Sequence, residues 1–355
     1  MIAIKNESIH ISIDNQEFEL PFLWLRDNCQ CDQCRITETQ EKQFLLHTVP
    51  VDISPKKVEK VDESLLIKWP DGHDSIIPLS KILECGTSRY PEHIFWPELF
   101  TPNRFEWNDF LDDIPTAIDA LKNLISYGVI ILQKAPKEPN SLEKLSKRLG
   151  PIHETLFERI HNVSVTGHVY NVAHTSKGLP PHNDFASYKS QPSIQALHML
   201  ENECEGGESI VVDGWKLLED LRIDYPDFFR ILQEFDVPFR EFDEENETFA
   251  EAPIIQCSND GLIESFRYSN QLMQMINPNR KGVKEFYKAY HEISSRIHDV
   301  KYRSTFRLNG GEVLIVASHR VLHAREPFIP NGKRHLQDAY FVYDNAANNF
   351  VLLSN

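Results

Sequence analysis

In the stretch LPPHNDFASY (179–188) a histidine and an aspartate stand two residues apart, directly after a Pro-Pro break. Carried on a strand end or an extended loop, His182 and Asp184 lie on one side of the backbone, where an imidazole and a carboxylate can ligate one metal ion. Alone the pair carries little weight, because with fifteen histidines in the chain about one His-x-Asp is expected by chance. A third donor comes from far downstream. GGEVLIVASHRVLHAREPF (310–328) reads as a strand, EVLIVA, running out into a loop that carries His319 and His323. Two imidazoles and one carboxylate on one face leave three positions open, the donor set suited to Fe(II) that must also bind a co-substrate and dioxygen. Arg334 follows His323 by eleven residues, at the mouth of a further strand in NGKRHLQDAYFVY (331–343). A guanidinium there can clamp a carboxylate through two parallel hydrogen bonds. Arg325, Ser209 and Gln195 are further groups that could reach a co-substrate; a structural ion pair or a locally satisfied strand residue is the competing reading for each.

A second cluster stands near the start of the chain. CQCDQC supplies Cys29, Cys31 and Cys34, and His73, in the turn WPDGH after a predicted strand, is the natural fourth ligand. Three thiolates and one imidazole make a closed tetrahedral structural zinc site. Cys85 and His47 are nearby competitors, and a thioredoxin-like redox role fits less well because the surrounding pattern is absent. Disulfides are not expected of six cysteines in a long chain without an export signal.

Both clusters need a scaffold. SIHISIDNQEFEL (8–20) alternates apolar and polar residues around an Asp14-Asn15 turn, and SLLIKWPDG (64–72) is a strand entering a turn, so the first hundred residues read as a small β-rich domain, 1–100. The proline- and aromatic-rich stretch 90–107, with too many prolines for a regular helix or interior strand and enough aromatics to pack on a surface, reads as an interdomain connector. A larger domain, 101–355, begins with an amphipathic helix ending near Gly128 and feeding a buried strand (113–134), then a short helix at 141–150. Apolar runs at 194–200, 209–213, 262–268, 313–317 and 338–343 suit strands, interrupted by helical patterns at 215–235 and 281–299. This is α+β, a sandwich or jelly roll, with no βαβαβ alternation and no glycine-rich phosphate loop.

At 355 residues and 41% hydrophobic content the chain can bury a proper core. A net charge of −16 and the absence of a basic stripe with interleaved aromatics disfavour nucleic acid as a partner. No apolar run approaches the roughly 20 residues of a membrane span, and MIAIKNESIH lacks the pattern of a signal peptide, so no membrane is expected as a partner and the cytoplasm is the expected compartment.

The order His-x-Asp, late histidine, then arginine is that of an iron/2-oxoglutarate dioxygenase, and GGESIVVDGW (206–215) fits the same plan. Over nearly its whole length the chain resembles the γ-butyrobetaine hydroxylase and trimethyllysine hydroxylase branch of the taurine-dioxygenase-like 2-oxoglutarate oxygenases. The resemblance rests on LWLRDNCQCDQC and WPDGH in the first domain, and on NVAHTSKGLPPHND, GGESIVVDG, RVLHAR and RHLQDAY in the second. It implies a double-stranded β-helix catalytic domain with Fe(II) on His182, Asp184 and His323, and with Arg334 anchoring the distal carboxylate of 2-oxoglutarate. It also implies structural zinc on Cys29, Cys31, Cys34 and His73, no ligand role for His319, and a homodimer.

The resemblance weakens where the family surrounds a trimethylammonium group with aromatic rings, whose faces attract a quaternary cation without a hydrogen bond. Tyr340 keeps one such position, but His174, Leu156 and Ile160 stand at others. Phe157, Phe185 and Tyr188 could rebuild part of the cage. Asn171, Ser269 and Asn270 match positions at which the family binds the substrate's polar end. The expectation is retained iron chemistry on a small zwitterionic or amino-acid-like carboxylate, with dioxygen, giving an alcohol at an unactivated C–H bond. Desaturation or cyclisation by the same chemistry, or a metal-binding protein without catalysis, are the alternatives.

Overall fold

The computed structural model describes residues 2–164 and 175–355. The chain divides into two units, Met1–Arg89 and Tyr90–Asn355.

The first unit is built from two three-stranded antiparallel sheets, one of Ile2–Lys5, Ser8–Ile13 and Gln16–Pro21, the other of Lys57–Val61, Ser64–Lys68 and Asp74–Pro78. The alternation in SIHISI is the cause of the first: Ile9, Ile11 and Ile13 face inward and meet Leu65, Ile67, Trp69 and Ile77 in one core. Asp14 and Asn15 both take positive φ, 49° and 66°, as a tight two-residue hairpin turn demands. A short helix, Phe22–Asp27, delivers the chain into the cysteine loop.

In the second unit two sheets face each other. The larger runs, in spatial order, Arg104–Glu106, Val129–Gln133, Glu312–Ala317, Ile194–Asn202, Arg334–Phe341, His161–Ser164; the smaller runs Leu179–His182, Val321–Arg325, Ser209–Asp213, Arg303–Phe306. This is the expected double-stranded β-helix. The strand VIILQ shows why its sequence is apolar throughout: Val129 and Ile131 pack with Val211, Leu314, Val316 and Val321, while Ile130 and Leu132 pack with Leu121 and Leu124 of the helix Ile114–Tyr127. Each such side chain contributes about 1.5–3 kcal/mol by leaving water. That helix ends at Gly128, where φ is 78° and a Cβ would sit 2.8 Å from Val321 Cγ2. A separate core covers the smaller sheet: Ile210, Val212, Leu322 and Ala324 meet the helices Gly214–Asp224, Pro226–Glu234 and Val283–Ile297. Among the described residues no helix is long and apolar enough to cross a membrane.

Aromatic residues of the stretch 90–107 pack, as their number suggests. The stretch begins the second unit and is packed on it: Trp96 is buried, its amide donates to Asp213 Oδ2 at 3.0 Å and its indole N–H to the Tyr127 carbonyl at 2.8 Å. Asp213 is fully buried and paired with Arg320, at 3.1 and 2.9 Å, whose remaining N–H groups reach the carbonyls of Ser126 and Ile94. Within the stretch only the edge strand Arg104–Glu106 is paired into a sheet, and the prolines before it do not stop aromatic rings from filling a core.

Candidate metal centres and active site

In the first unit, Cys29 and Cys34 are buried and Cys31 is half-buried around the His73 ring. His73 Nε2 lies 3.4, 3.6 and 3.5 Å from the sulfurs of Cys29, Cys31 and Cys34. Local structure explains the convergence. The Cys34 amide closes a turn onto the Cys31 carbonyl, the Gln30 amide pins the loop to the Ile76 carbonyl, and the Trp69 amide closes the His73 turn at 2.9 Å. Asp71 accepts the His73 amide at 3.0 Å and pairs with Arg26, whose guanidinium also donates to Cys34 Sγ at 3.5 Å. Burial pushes the Cys34 thiol up to about 12, whereas at Cys29 burial is outweighed by hydrogen bonds from His73 and Ser75, which bring it down to about 6. Three sulfurs and one imidazole nitrogen, mutually within 4.8 Å, fit a tetrahedral zinc ion. The competitors are elsewhere: Cys85 is exposed and donates to the Lys81 carbonyl, and His47 is exposed.

The second site is made by strand register. His182 ends its strand directly opposite His323 in the antiparallel pair, so the two rings stand 4.3 Å apart at 45°. Asp184 follows in a turn, with Oδ1 at 3.1 Å from His182 Nε2 and 3.8 Å from His323 Nε2. Asn183, between the ligands, is buried and fixes this turn: its side chain donates to the Phe266 and Ser318 carbonyls and accepts the Tyr268 amide at 2.9 Å. Arg267 holds the following residues through the carbonyls of Ala186, Tyr188 and Lys189. His182 Nδ1 is 2.9 Å from the Pro180 carbonyl, which selects the tautomer with N–H at Nδ1 and a lone pair at Nε2. Burial works against charge on Asp184, but His323, His182 and the Tyr340 hydroxyl outweigh it and hold the carboxyl below its usual range. Burial, then His182, brings His323 down to about 4, so its ring is neutral and able to ligate. One carboxylate oxygen and two imidazole nitrogens within 4.8 Å of one another fit a facial Fe(II) site. His319 is not part of it: its ring packs on Trp215 and Tyr343 and its Nδ1 faces the Ser193 carbonyl at 3.4 Å.

The other oxygen of Asp184 is claimed by groups that the motifs did not announce. Oδ2 accepts from Tyr340 Oη and Gln195 Nε2, both at 2.6 Å. Gln195 also donates to Asp338 Oδ2 at 2.9 Å, and Asp338 Oδ1 lies 3.6 Å from His161 Nδ1. Gln195, weighed above as a co-substrate contact, thus orients a ligand instead. Cross-strand register, Gln195 opposite Tyr340 and Leu197 opposite Asp338, makes the network, and no short motif reveals it.

Three guanidinium groups gather nearby. Arg325 is two residues past His323 on the same strand, opposite Ser209, and donates to the carbonyls of Thr175 and Lys177, both at 2.7 Å. Arg307 is held by the carbonyls of Gly206, Asn202 and Cys204. Arg334 opens its strand opposite Asn202, and the Phe328 ring lies 5.1 Å from its guanidinium carbon and 4.9 Å from that of Arg325. Burial first, then the positive charges of Arg325 and Arg307, lower Arg334 to about 10. Its Nε is buried without a hydrogen-bond partner, and none of the ion pairs among the described residues involves it. A cationic pocket of this kind fits the carboxylate of a co-substrate.

The substrate-side candidates stand in different surroundings. Phe185 is buried next to Asp184 with φ 51°, a conformation that costs a non-glycine residue about 1–2 kcal/mol. Its ring meets Phe157, His161, Tyr188 and Tyr340 at centroid distances of 6.0, 6.1, 4.9 and 5.0 Å. Leu156 is exposed, and its amide donates to Tyr188 Oη at 2.9 Å. Asn270 is exposed and accepts from Tyr290 Oη at 3.2 Å, while the Ser269 hydroxyl is buried without a partner among the described residues. Asn171 and His174 lie outside the described residues.

Comparison with known proteins now bears on these centres. The family model for the taurine catabolism dioxygenases TauD and TfdA matches residues 92–340, and one for the N-terminal region of γ-butyrobetaine hydroxylase-like proteins matches residues 3–78. The chain belongs to the TauD/TfdA dioxygenase family. The γ-butyrobetaine dioxygenase of Pseudomonas sp. (strain AK-1) is 31% identical over 343 residues, covering 93% of this chain and 89% of that protein. Human γ-butyrobetaine dioxygenase is 27% identical, with coverages of 93% and 90%. Human mitochondrial trimethyllysine dioxygenase is 25% identical, with coverages of 96% and 84%. The non-haem iron oxygenase OrfP, solved with Fe and α-ketoglutaric acid, shares the fold with a TM-score of 0.50 at 15% identity, over 67% of this chain and 80% of its own. This member of the TauD/TfdA family is an Fe(II)- and 2-oxoglutarate-dependent dioxygenase of the γ-butyrobetaine hydroxylase-like type, with a zinc site in its N-terminal unit.

Proposed function

We propose that His182, Asp184 and His323 hold the iron, that Arg334 anchors 2-oxoglutarate with Arg325 and Ser209 beside it, and that the enzyme hydroxylates an unactivated C–H bond of a small zwitterionic or amino-acid-like carboxylate. The observation that carries this reading is the convergence of the two imidazoles and one carboxylate, with its second oxygen already satisfied, in the domain that holds a buried, anion-free guanidinium. Iron bound there supplies dioxygen activation coupled to oxidation of 2-oxoglutarate to succinate and carbon dioxide, so that one oxygen atom enters the substrate and the other enters succinate. The protein's own residues do the positioning. Pro180 fixes the His182 tautomer, Tyr340 and Gln195 turn Oδ1 of Asp184 inward, and the rings of Phe157, Phe185 and Tyr188 form an apolar wall against water. The same wall supports a trimethylammonium-type or a smaller ammonium substrate. A homodimer belongs to this reading, and light scattering on the purified protein tests it.

Anaerobic addition of Fe(II) and 2-oxoglutarate is the test. The expected result is a visible metal-to-ligand charge-transfer band that His182→Ala abolishes, followed in air by substrate-dependent succinate across a panel of betaines and amino acids. Full iron loading without the band overturns the assignment.

A further inference from the structure

One acidic side chain faces the proposed site with no part in the assignments above. Glu241 lies on the strand Val237–Phe242. Strand alternation puts it on the face of Val237 and Phe239, both buried in the core, while Arg240 and Phe242 point the other way. Arg240 is engaged by Glu247 through two 2.9 Å bonds and rests on the Phe242 ring, so it is no counter-ion for Glu241. Thr248, opposite Glu241 in the hairpin, has its hydroxyl 2.7 Å from that of Ser187, three residues past Asp184. That contact seats the Glu241 backbone beside the ligand turn. The charges that act on the Glu241 carboxyl are those of Asp184, His161, His182 and Asp243, and no hydrogen bond or ion pair joins it to a described residue. Burial, then Asp184, push it up to about 7.

An inward carboxylate with no donor among the described residues is costly to keep unless something brings the donor. The rings of Phe157, Phe185 and Tyr188, clustered at the residue after Asp184, attract cations of any kind, quaternary ones included. A carboxylate adds directional, charge-assisted bonds only to a cation that retains N–H. The geometry points to Glu241 as a specificity-determining residue that holds an N–H-bearing cation of the prime substrate, a primary or secondary ammonium or a guanidinium, and so favours it over a trimethylammonium. This rests on the oxygenase reading above and names the substrate class for it.

The experiment compares matched pairs on the holoenzyme loaded anaerobically with Fe(II) and 2-oxoglutarate: 4-aminobutyrate against its N-trimethyl derivative, and lysine against Nε-trimethyllysine. Calorimetry reads the dissociation constants, and succinate formation in air reads kcat and KM. At least one N–H member binds roughly tenfold or more tighter than its trimethyl counterpart, the range of one charge-assisted hydrogen bond set. Glu241→Gln removes that preference, chiefly through Kd and KM, and Glu241→Asp, which keeps the charge, retains part of it. If no N–H cation in either pair binds better than its trimethyl partner, or if Glu241→Gln leaves the ratio unchanged, the inference is overturned. Failure of the oxygenase reading looks different: no succinate with any compound, while the binding ratios still answer for Glu241.

Discussion

The two oxygens of Asp184 have different partners. Oδ1 faces the imidazoles, and Oδ2 receives Tyr340 and Gln195, so the carboxylate is oriented before any metal arrives. Tyr340→Phe deletes one of those donors and keeps the ring; iron affinity, followed by titration, falls by about 10–100-fold while circular dichroism is unchanged. Arg334→Met removes a guanidinium that no described anion neutralises, and the KM for 2-oxoglutarate rises by at least roughly thirtyfold in succinate assays with kcat less affected. At this scale the sequence was legible where a role depends on near neighbours. The three cysteines announce themselves by spacing, whereas His182 and Asp184 gain weight only with His323 and Arg334 downstream. Tyr340 was read as a cage residue, yet its hydroxyl serves Asp184; Gln195, Asp338 and Glu241 carry no local signature, because each acquires its role from a strand paired across the fold or from the face it occupies.

At the scale of elements, Asn183 welds the ligand turn to the segment around Tyr268 and to the Ser318 carbonyl. Asn183→Ala leaves a buried amide N–H and two carbonyls without partners, and denaturant unfolding registers a loss of about 2–3 kcal/mol. Asp220 pairs with Lys216 one turn earlier in the helix Gly214–Asp224 and ties that helix to the turn Val300–Tyr302 through Lys301 and Tyr302. Burial opposes its charge, but those three partners outweigh it and hold it down to about 2. A carboxyl depressed in the folded state stabilises fully above the ordinary carboxylate range and loses that contribution as pH falls through its folded value. The stability gap between the wild type and Asp220→Asn, measured by urea unfolding, is therefore constant near neutrality and closes between about pH 4 and pH 2. Strand positions were legible because both faces of the central strands are apolar, as in VIILQ. In the aromatic stretch 90–107 the composition suggests packing but not its partner, because nothing in it reports the buried Asp213 that receives the Trp96 amide.

For the whole molecule, the two centres differ in how far along the chain their donors are gathered. The Cys3His cluster falls within Cys29–His73, inside the first unit; the proposed iron donors span His182 to His323. Metal analysis is expected to find one zinc per chain, and His73→Ala to lose it and to lower the melting temperature of the first unit, because binding energy at a structural zinc site is folding energy.

The same spacing sets an order of assembly on the ribosome. Synthesis proceeds from the N-terminus and domains fold as units, so the cysteine loop and its histidine can capture zinc while the strand bearing His323 has yet to be made. The proposed iron site, by contrast, has no complete ligand set until that late strand has paired with the one ending at His182. Zinc is thus an early guest and iron a late one, and a chain that holds iron stoichiometrically has shown, by that fact, that its jelly roll has closed.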